Sequence, residues 1–167
     1  MTRKRTAVVI CPGRGTYNAT ELGTLARYFP DRALLGRLDA IRLAEGQDSL
    51  TALDGATRFS GSVHGRGDAA SGLIYAATLG DFLSINADTV EVVAVTGNSM
   101  GWYSALACAG AMDAEDGFRL ANTMGRLMQE ALIGGQTVYP WVDEDWVPQP
   151  ARKAAFLTLI ADIAGRP

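Results

Sequence analysis

The chain has 167 residues, 48% hydrophobic and 20% charged, with a formal net charge of −3. That composition supports one sizeable core, and the charge balance excludes the basic excess of a nucleic-acid binder and the acidic block of a disordered tail. Two cysteines far apart in sequence, Cys11 and Cys108, form no disulfide framework, and a single histidine, His64, leaves no metal-ligand cluster. No apolar run approaches membrane-spanning length, so the chain reads as soluble and cytoplasmic, with no nucleic-acid or membrane partner. Arg3-Lys4-Arg5 reads as a solvated leader.

Thr6 to Cys11 is a short β-branched run that Pro12-Gly13-Arg14-Gly15 ends abruptly, which predicts a buried strand feeding a tight loop. Leu22, Leu25, Ala26 and Phe29 recur at helical spacing before Pro30, and Leu34, Leu35, Leu38 and Ile41 mark a second helix ending near Gly46. Asp54 to Gly67 reads as loop, which makes His64 a solvated loop histidine. A third helix is predicted from Asp68 to Asn86, with Leu73, Ala76, Ala77, Leu79, Phe82 and Leu83 inward.

Val90 to Thr96 is the strongest strand signal. Gly97-Asn98-Ser99-Met100-Gly101 follows at once, then an alanine-rich helix, Trp102 to Ala109. Asp113 caps the next helix, which carries Phe118, Ala121, Met124, Met128 and Ala131 and stops at Gly134-Gly135. Met128 is expected to pack in the core, as is Cys108. Thr137 to Val142 is a candidate strand, and Arg152 to Ile163 a last helix beyond Pro148 and Pro150. Trp141 and Trp146 are expected to cover a subdomain junction.

Strands alternating with helices argue for an α/β layer fold: a parallel sheet with flanking helices. In such sheets sites form at the carboxyl ends of strands, and both glycine loops sit there. A Gly-x-Ser-x-Gly turn between strand and helix is the pattern of a nucleophile elbow: the serine is exposed on a sharp bend at a helix N-terminus, where free N–H groups stabilise an oxyanion. Ser99 is therefore the candidate nucleophile. The Met100 N–H is the natural first oxyanion donor, and the Arg14 N–H the candidate second.

These motifs resemble the malonyl-CoA:acyl-carrier-protein transacylases and the acyltransferase domains of polyketide and fatty-acid synthases. The family's Phe-Pro-Gly-Gln-Gly loop corresponds to Cys11-Pro12-Gly13-Arg14-Gly15, and its Gly-His-Ser-Leu-Gly-Glu-Tyr-Ser-Ala-Leu run to Gly97 through Leu106. Downstream, Ala109-Gly110-Ala111, Arg119-Leu120 and Gly125-Arg126-Leu127-Met128-Gln129-Glu130-Ala131 match without a gap. The resemblance implies transfer of an acyl group, malonyl-type or short and neutral, from coenzyme A to an acyl-carrier protein through an ester on Ser99, in fatty-acid or polyketide synthesis. It implies no bound cofactor, the coenzyme A thioester being substrate, and places Gly13, Asn98 and Met124 in the substrate pocket. A serine esterase or thioesterase, or a degenerate homologue that only docks a carrier protein, are the competing readings.

Four positions depart from the pattern. Asn98 replaces a histidine, Arg14 a glutamine, and Trp102, expected to pack, a glutamate. Met124 stands where malonyl-selecting members carry the arginine that pairs with the substrate carboxylate; Arg126 lies about 200° around the helix from it, and is a poor substitute. The family's catalytic histidine has no counterpart here. Residues 1–133 are expected to form the large α/β hydrolase-like subdomain. Residues 134–167 would begin a small ferredoxin-like one that a strand and a helix cannot close, so a second polypeptide or a further part of a longer chain is expected to complete the domain.

Overall fold

The structure, a computed structural model, describes residues 3–131 and 139–165. The chain divides into two compact units, Met1–Leu132 and Ile133–Pro167. The first begins with β1 (Arg5–Cys11), α1 (Thr24–Tyr28), α2 (Arg32–Ala44), α3 (Leu50–Asp54) and α4 (Gly61–His64). It continues through α5 (Gly67–Leu83), β2 (Val90–Gly97), α6 (Gly101–Cys108) and α7 (Ala114–Ala131). The second contains α8 (Pro150–Ala164).

The strands pair in parallel from Arg5↔Val90 to Cys11↔Gly97, so both end at the same edge, and each runs straight into one of the glycine loops. The register slips between Ala7↔Val92 and Val8↔Ala94, leaving Val93 unpaired. The chain is thus α/β with a parallel sheet, two-stranded among the described residues.

Helix α5 is the centre of the core. Leu73, Tyr75 and Ala76 are fully buried, and Phe118 and Ala121 of α7 pack against the same cluster. Tyr75 meets the Phe118 ring edge-on at 5.5 Å, and its hydroxyl donates to the Ala114 carbonyl at 2.7 Å. Arg42 of α2 lies 2% exposed in this interior. Its guanidinium donates to the carbonyls of Asp48 and Asp68 and to Asn122 Oδ1, and Asn122 donates onward to Glu45 and Gln47. A buried cation is tolerated when its donors are met in this way.

Several expectations are corrected. The first strand is covered on one face only: Val9 and Val95 pack beneath the sheet, while Val8 is 56% and Ile10 70% exposed. A parallel sheet is ordinarily covered on both faces. The first helix is shorter than its apolar spacing suggests, because Gly23 takes φ 82 and starts the turn late. The stretch read as loop holds α4 and is preceded by α3, which Ser49 caps by accepting the Ala52 N–H at 3.0 Å. His64 is buried rather than solvated, at 2% exposure. Its Nδ1 accepts the Ser60 N–H at 3.0 Å, its Nε2 donates to the Leu53 carbonyl at 3.0 Å, and its ring stacks on Phe59. Met128 is exposed because it lies one turn beyond Gly125, the last buried residue of α7.

In the second unit, Val142 forms one antiparallel bridge with Pro148; residues 137 and 138 of the expected strand, and the expected helix stop at Gly134-Gly135, lie outside the described residues. Tyr139 stacks on Phe156 at 4.6 Å, Lys153 lies 4.7 Å from the Trp141 ring, and Trp146 is exposed. No residue of α8 is buried. Among the described residues no helix is long and apolar enough to cross a membrane, and no group of three His, Cys, Asp or Glu is placed to hold a metal.

Candidate active site

The elbow forms because strand β2 must reverse into α6 within three residues. Gly101 makes the turn possible: a β-carbon there would lie 2.1 Å from the Cys11 carbonyl oxygen. Asn98 N–H donates to that same Cys11 carbonyl at 3.0 Å, and Gly101 N–H closes the turn on the Asn98 carbonyl at 2.8 Å. The bend falls on Ser99, whose φ of 53 places a non-glycine residue in the left-handed region. Such a conformation costs about 1–3 kcal/mol and persists where the surrounding bonds over-determine it. The result is an exposed serine whose carbonyl accepts the Trp102 N–H at 3.2 Å, at the start of α6.

The second loop sits directly against the first. A β-carbon on Gly13 would lie 2.9 Å from the Asn98 carbonyl oxygen and 3.2 Å from Ser99 Cβ, so only glycine fits between them. Thr16 Oγ1 donates back to the Gly13 carbonyl at 3.0 Å, and Asn18 Nδ2 to the Gly15 carbonyl at 3.1 Å. Arg14 is exposed, one residue from that contact. Among the described residues, neither the Met100 nor the Arg14 backbone N–H donates to a carbonyl.

The structure thus brings Gly13, Asn98, Ser99 and Met100 together, with Arg14 on the adjoining turn. Met124 is half-buried on α7, one turn beyond buried Ala121. Trp102, expected to pack, is 55% exposed on the first turn of α6, because the buried face of that helix carries Ser104, Ala105 and Cys108 instead.

Sequence reasoning missed the residues that anchor the segment following the Pro12–Arg14 loop. Asp54, the last residue of α3, is 1% exposed and accepts the Tyr17 hydroxyl at 2.6 Å and the Ala26 N–H at 3.1 Å, tying Tyr17 to α1 and α3. Burial, then the bond to Asp54, pushes the Tyr17 hydroxyl up, so it stays a donor at any working pH. Nothing local signals this pair, 37 residues apart. A cleft of about 320 Å³ opens beside it, lined by Pro12, Thr16, Tyr17, Thr24, Ile74 and Asp81. Desolvation raises the Asp81 carboxyl there.

No family model matches the chain. A 71-residue stretch is 44% identical to the polyketide biosynthesis protein ThaF of Burkholderia thailandensis, covering 42% of this chain and 6% of that protein. A 45-residue stretch is 49% identical to the malonyl CoA-acyl carrier protein transacylase of Haemophilus influenzae, covering 27% and 14%. In structure, the chain matches the transacylase MCAT of Mycobacterium tuberculosis over 76% of its length, with a TM-score of 0.60 and 28% identity. It likewise matches a malonyl-transacylase solved in complex with a type II polyketide-synthase acyl-carrier protein, over 77% of its length, with a TM-score of 0.56 and 26% identity. The chain spans 41% and 40% of those two solved chains, and far less of the curated relatives. In sequence and in fold the chain resembles malonyl-CoA:acyl-carrier-protein transacylases.

Proposed function

We propose that the chain carries the nucleophile of an acyltransferase that moves an acyl group from coenzyme A to an acyl-carrier protein. The observation that carries this reading is Ser99, held at φ 53 on the bend between β2 and α6 with Gly13 pressed against it. Ser99 Oγ attacks the thioester carbonyl, the C–S bond breaks, and the coenzyme A thiolate leaves with the serine proton. The phosphopantetheine thiol of the carrier then attacks the seryl ester and returns the proton to Ser99. Each tetrahedral oxyanion accepts from the Met100 and Arg14 N–H groups, and losing one such donor costs about 3–4 kcal/mol of barrier. Gly13, Asn98 and Met124 line the acyl pocket. The relatives' names and the carrier-protein complex support both substrates.

Proton transfer needs a base, and the chain's one histidine cannot serve: both nitrogens of His64 are engaged with backbone in the core. A segment beyond the described residues, on this polypeptide or a second one, supplies the base and completes the small ferredoxin-like subdomain begun by residues 139–165. The uncovered sheet face at Val8 and Ile10 supports such a segment, since parallel sheets are covered on both sides. The setting is cytoplasmic.

Intact-mass spectrometry after incubation with malonyl-CoA, and in parallel acetyl-CoA, tests the proposal. An acyl adduct that Ser99→Ala abolishes, and that an added carrier protein removes with gain of the same mass, is the expected result. An adduct discharged by water as fast as by the carrier would make the protein a hydrolase. A Ser99→Ala variant that still becomes acylated would sink the assignment.

A further inference from the structure

We infer that Thr16 is a positioning residue for the transfer: its hydroxyl fixes the peptide plane that aims the Arg14 N–H at the oxyanion. Thr16 Oγ1 donates to the Gly13 carbonyl at 3.0 Å, and among the described residues no well-aligned backbone N–H donates to that carbonyl. Gly13 is buried, so its carbonyl needs a partner, and the hydroxyl supplies one. The Gly13 carbonyl and the Arg14 N–H are the two ends of one planar trans peptide and point in opposite directions. Holding the first therefore sets the direction of the second.

The plane needs this bond because of what glycine does for the elbow. Gly13 lacks the β-carbon that would lie 2.9 Å from the Asn98 carbonyl oxygen and 3.2 Å from Ser99 Cβ. The same lack opens backbone angles at position 13 that are closed to other residues, so the plane between 13 and 14 is poorly fixed against flipping. A flipped plane would present a carbonyl oxygen where the N–H belongs, and repel the oxyanion it should bind. The hydroxyl opposes that flip, which would turn the Gly13 carbonyl away from Thr16. Thr16 is itself held from both sides. Tyr17 is 5% exposed and donates to Asp54 Oδ1 at 2.6 Å, while Asn18 Nδ2 donates to the Gly15 carbonyl at 3.1 Å. The β-branched side chain of Thr16 also has few χ1 states among which to wander.

The effect is confined to the transition state. The Arg14 N–H meets a full negative charge only once the thioester carbonyl becomes tetrahedral, so a loosened plane lowers the rate at saturation rather than substrate affinity. Outright loss of an oxyanion donor slows a reaction about a hundredfold or more, and a plane that still visits the right orientation should lose less, roughly tenfold. This role rests on Ser99 being the acyl acceptor and on the Arg14 N–H being its second oxyanion donor.

The test compares the full native chain with Thr16→Val, which keeps the shape and loses the hydroxyl, and with Thr16→Ser, which keeps the hydroxyl. Ser99 acylation is timed by quenched intact mass over a range of malonyl-CoA and, in parallel, acetyl-CoA concentrations, beside a thermal melt of each variant. Thr16→Val should lower the saturating rate roughly tenfold and leave the half-saturating concentration within about twofold of the parent's. Thr16→Ser should restore the rate to within about threefold, and the melts should stay alike because the Thr16 side chain lies at the surface. Thr16→Ala serves in place of valine should valine prevent folding. A saturating rate equal to the parent's in the variant without the hydroxyl would overturn the role. So would equal slowing in Thr16→Ser, a change confined to the half-saturating concentration, or a slowing matched by loss of folded protein. A parent chain that is never acylated would instead overturn the Ser99 reading, and this role with it.

Discussion

At the scale of single residues, the site is built by exclusion of side-chain volume. Gly101 faces the Cys11 carbonyl so closely that Gly101→Ala must part β1 from the elbow. It should cost about 3 kcal/mol or more and abolish acylation, measured by denaturant unfolding and intact mass. Tyr17→Phe removes one of two donors to a buried carboxylate, with an expected loss of about 1–3 kcal/mol. Ser104 presents the opposite case: the residue is 1% exposed and its hydroxyl has no hydrogen-bond partner among the described residues, so Ser104→Ala should be neutral or stabilising by up to about 1 kcal/mol. A measurable destabilisation would show that a water or another group satisfies that hydroxyl in solution.

At the scale of elements, the helices are set by their ends as much as by their faces. Asp68 lies in the first turn of α5, where the helix dipole favours a negative charge. Arg66 beside it, through paired hydrogen bonds at 3.0 Å, holds its carboxyl below the usual carboxylate range. A carboxyl lowered in the folded state stabilises the fold above its unfolded value of about 3.9 and loses that contribution as pH falls through the folded value. Asp68→Asn should therefore lower the melting temperature at pH 6 to 7, and the gap to the parent should close as pH drops below about 4. A gap constant down to pH 2 would place the stabilisation in packing rather than charge. On α7 the two methionines separate: Met124 is half-buried and Met128 exposed, so Met128→Glu should stay within about 0.5 kcal/mol of the parent.

At the scale of the whole molecule, the first unit is asymmetric. Its helical core is closed around α5, whereas its sheet has one face on α6 and one in solvent. If a further segment covers that face in the working protein, Ile10→Lys should leave the stability of the described part nearly unchanged, since Ile10 is already 70% exposed there. The same change should disable acylation in the completed protein by burying an unpaired ammonium. Acylation at the parent rate would mean that the face stays open.

The sequence by itself determined the parts that local chemistry dictates. The β-branched runs ended by glycine loops fixed two strands and their direction, and Gly97-x-Ser99-x-Gly101 between strand and helix carried the elbow. The gapless match from Gly97 to Ala131 carried the family resemblance. Tertiary structure decided what depends on residues distant along the chain. It buried His64 against the Leu53 and Ser60 backbone, paired Tyr17 with Asp54, and threaded Arg42 to Asn122 across 80 positions. It turned Met128 and Trp102 outward, because helical spacing gives the face of a helix but not the breadth of what covers it. It also placed Cys11 and Cys108 in one buried cluster with Ala105, which no spacing announces, because contact between a strand end and a helix end is fixed only when both have packed.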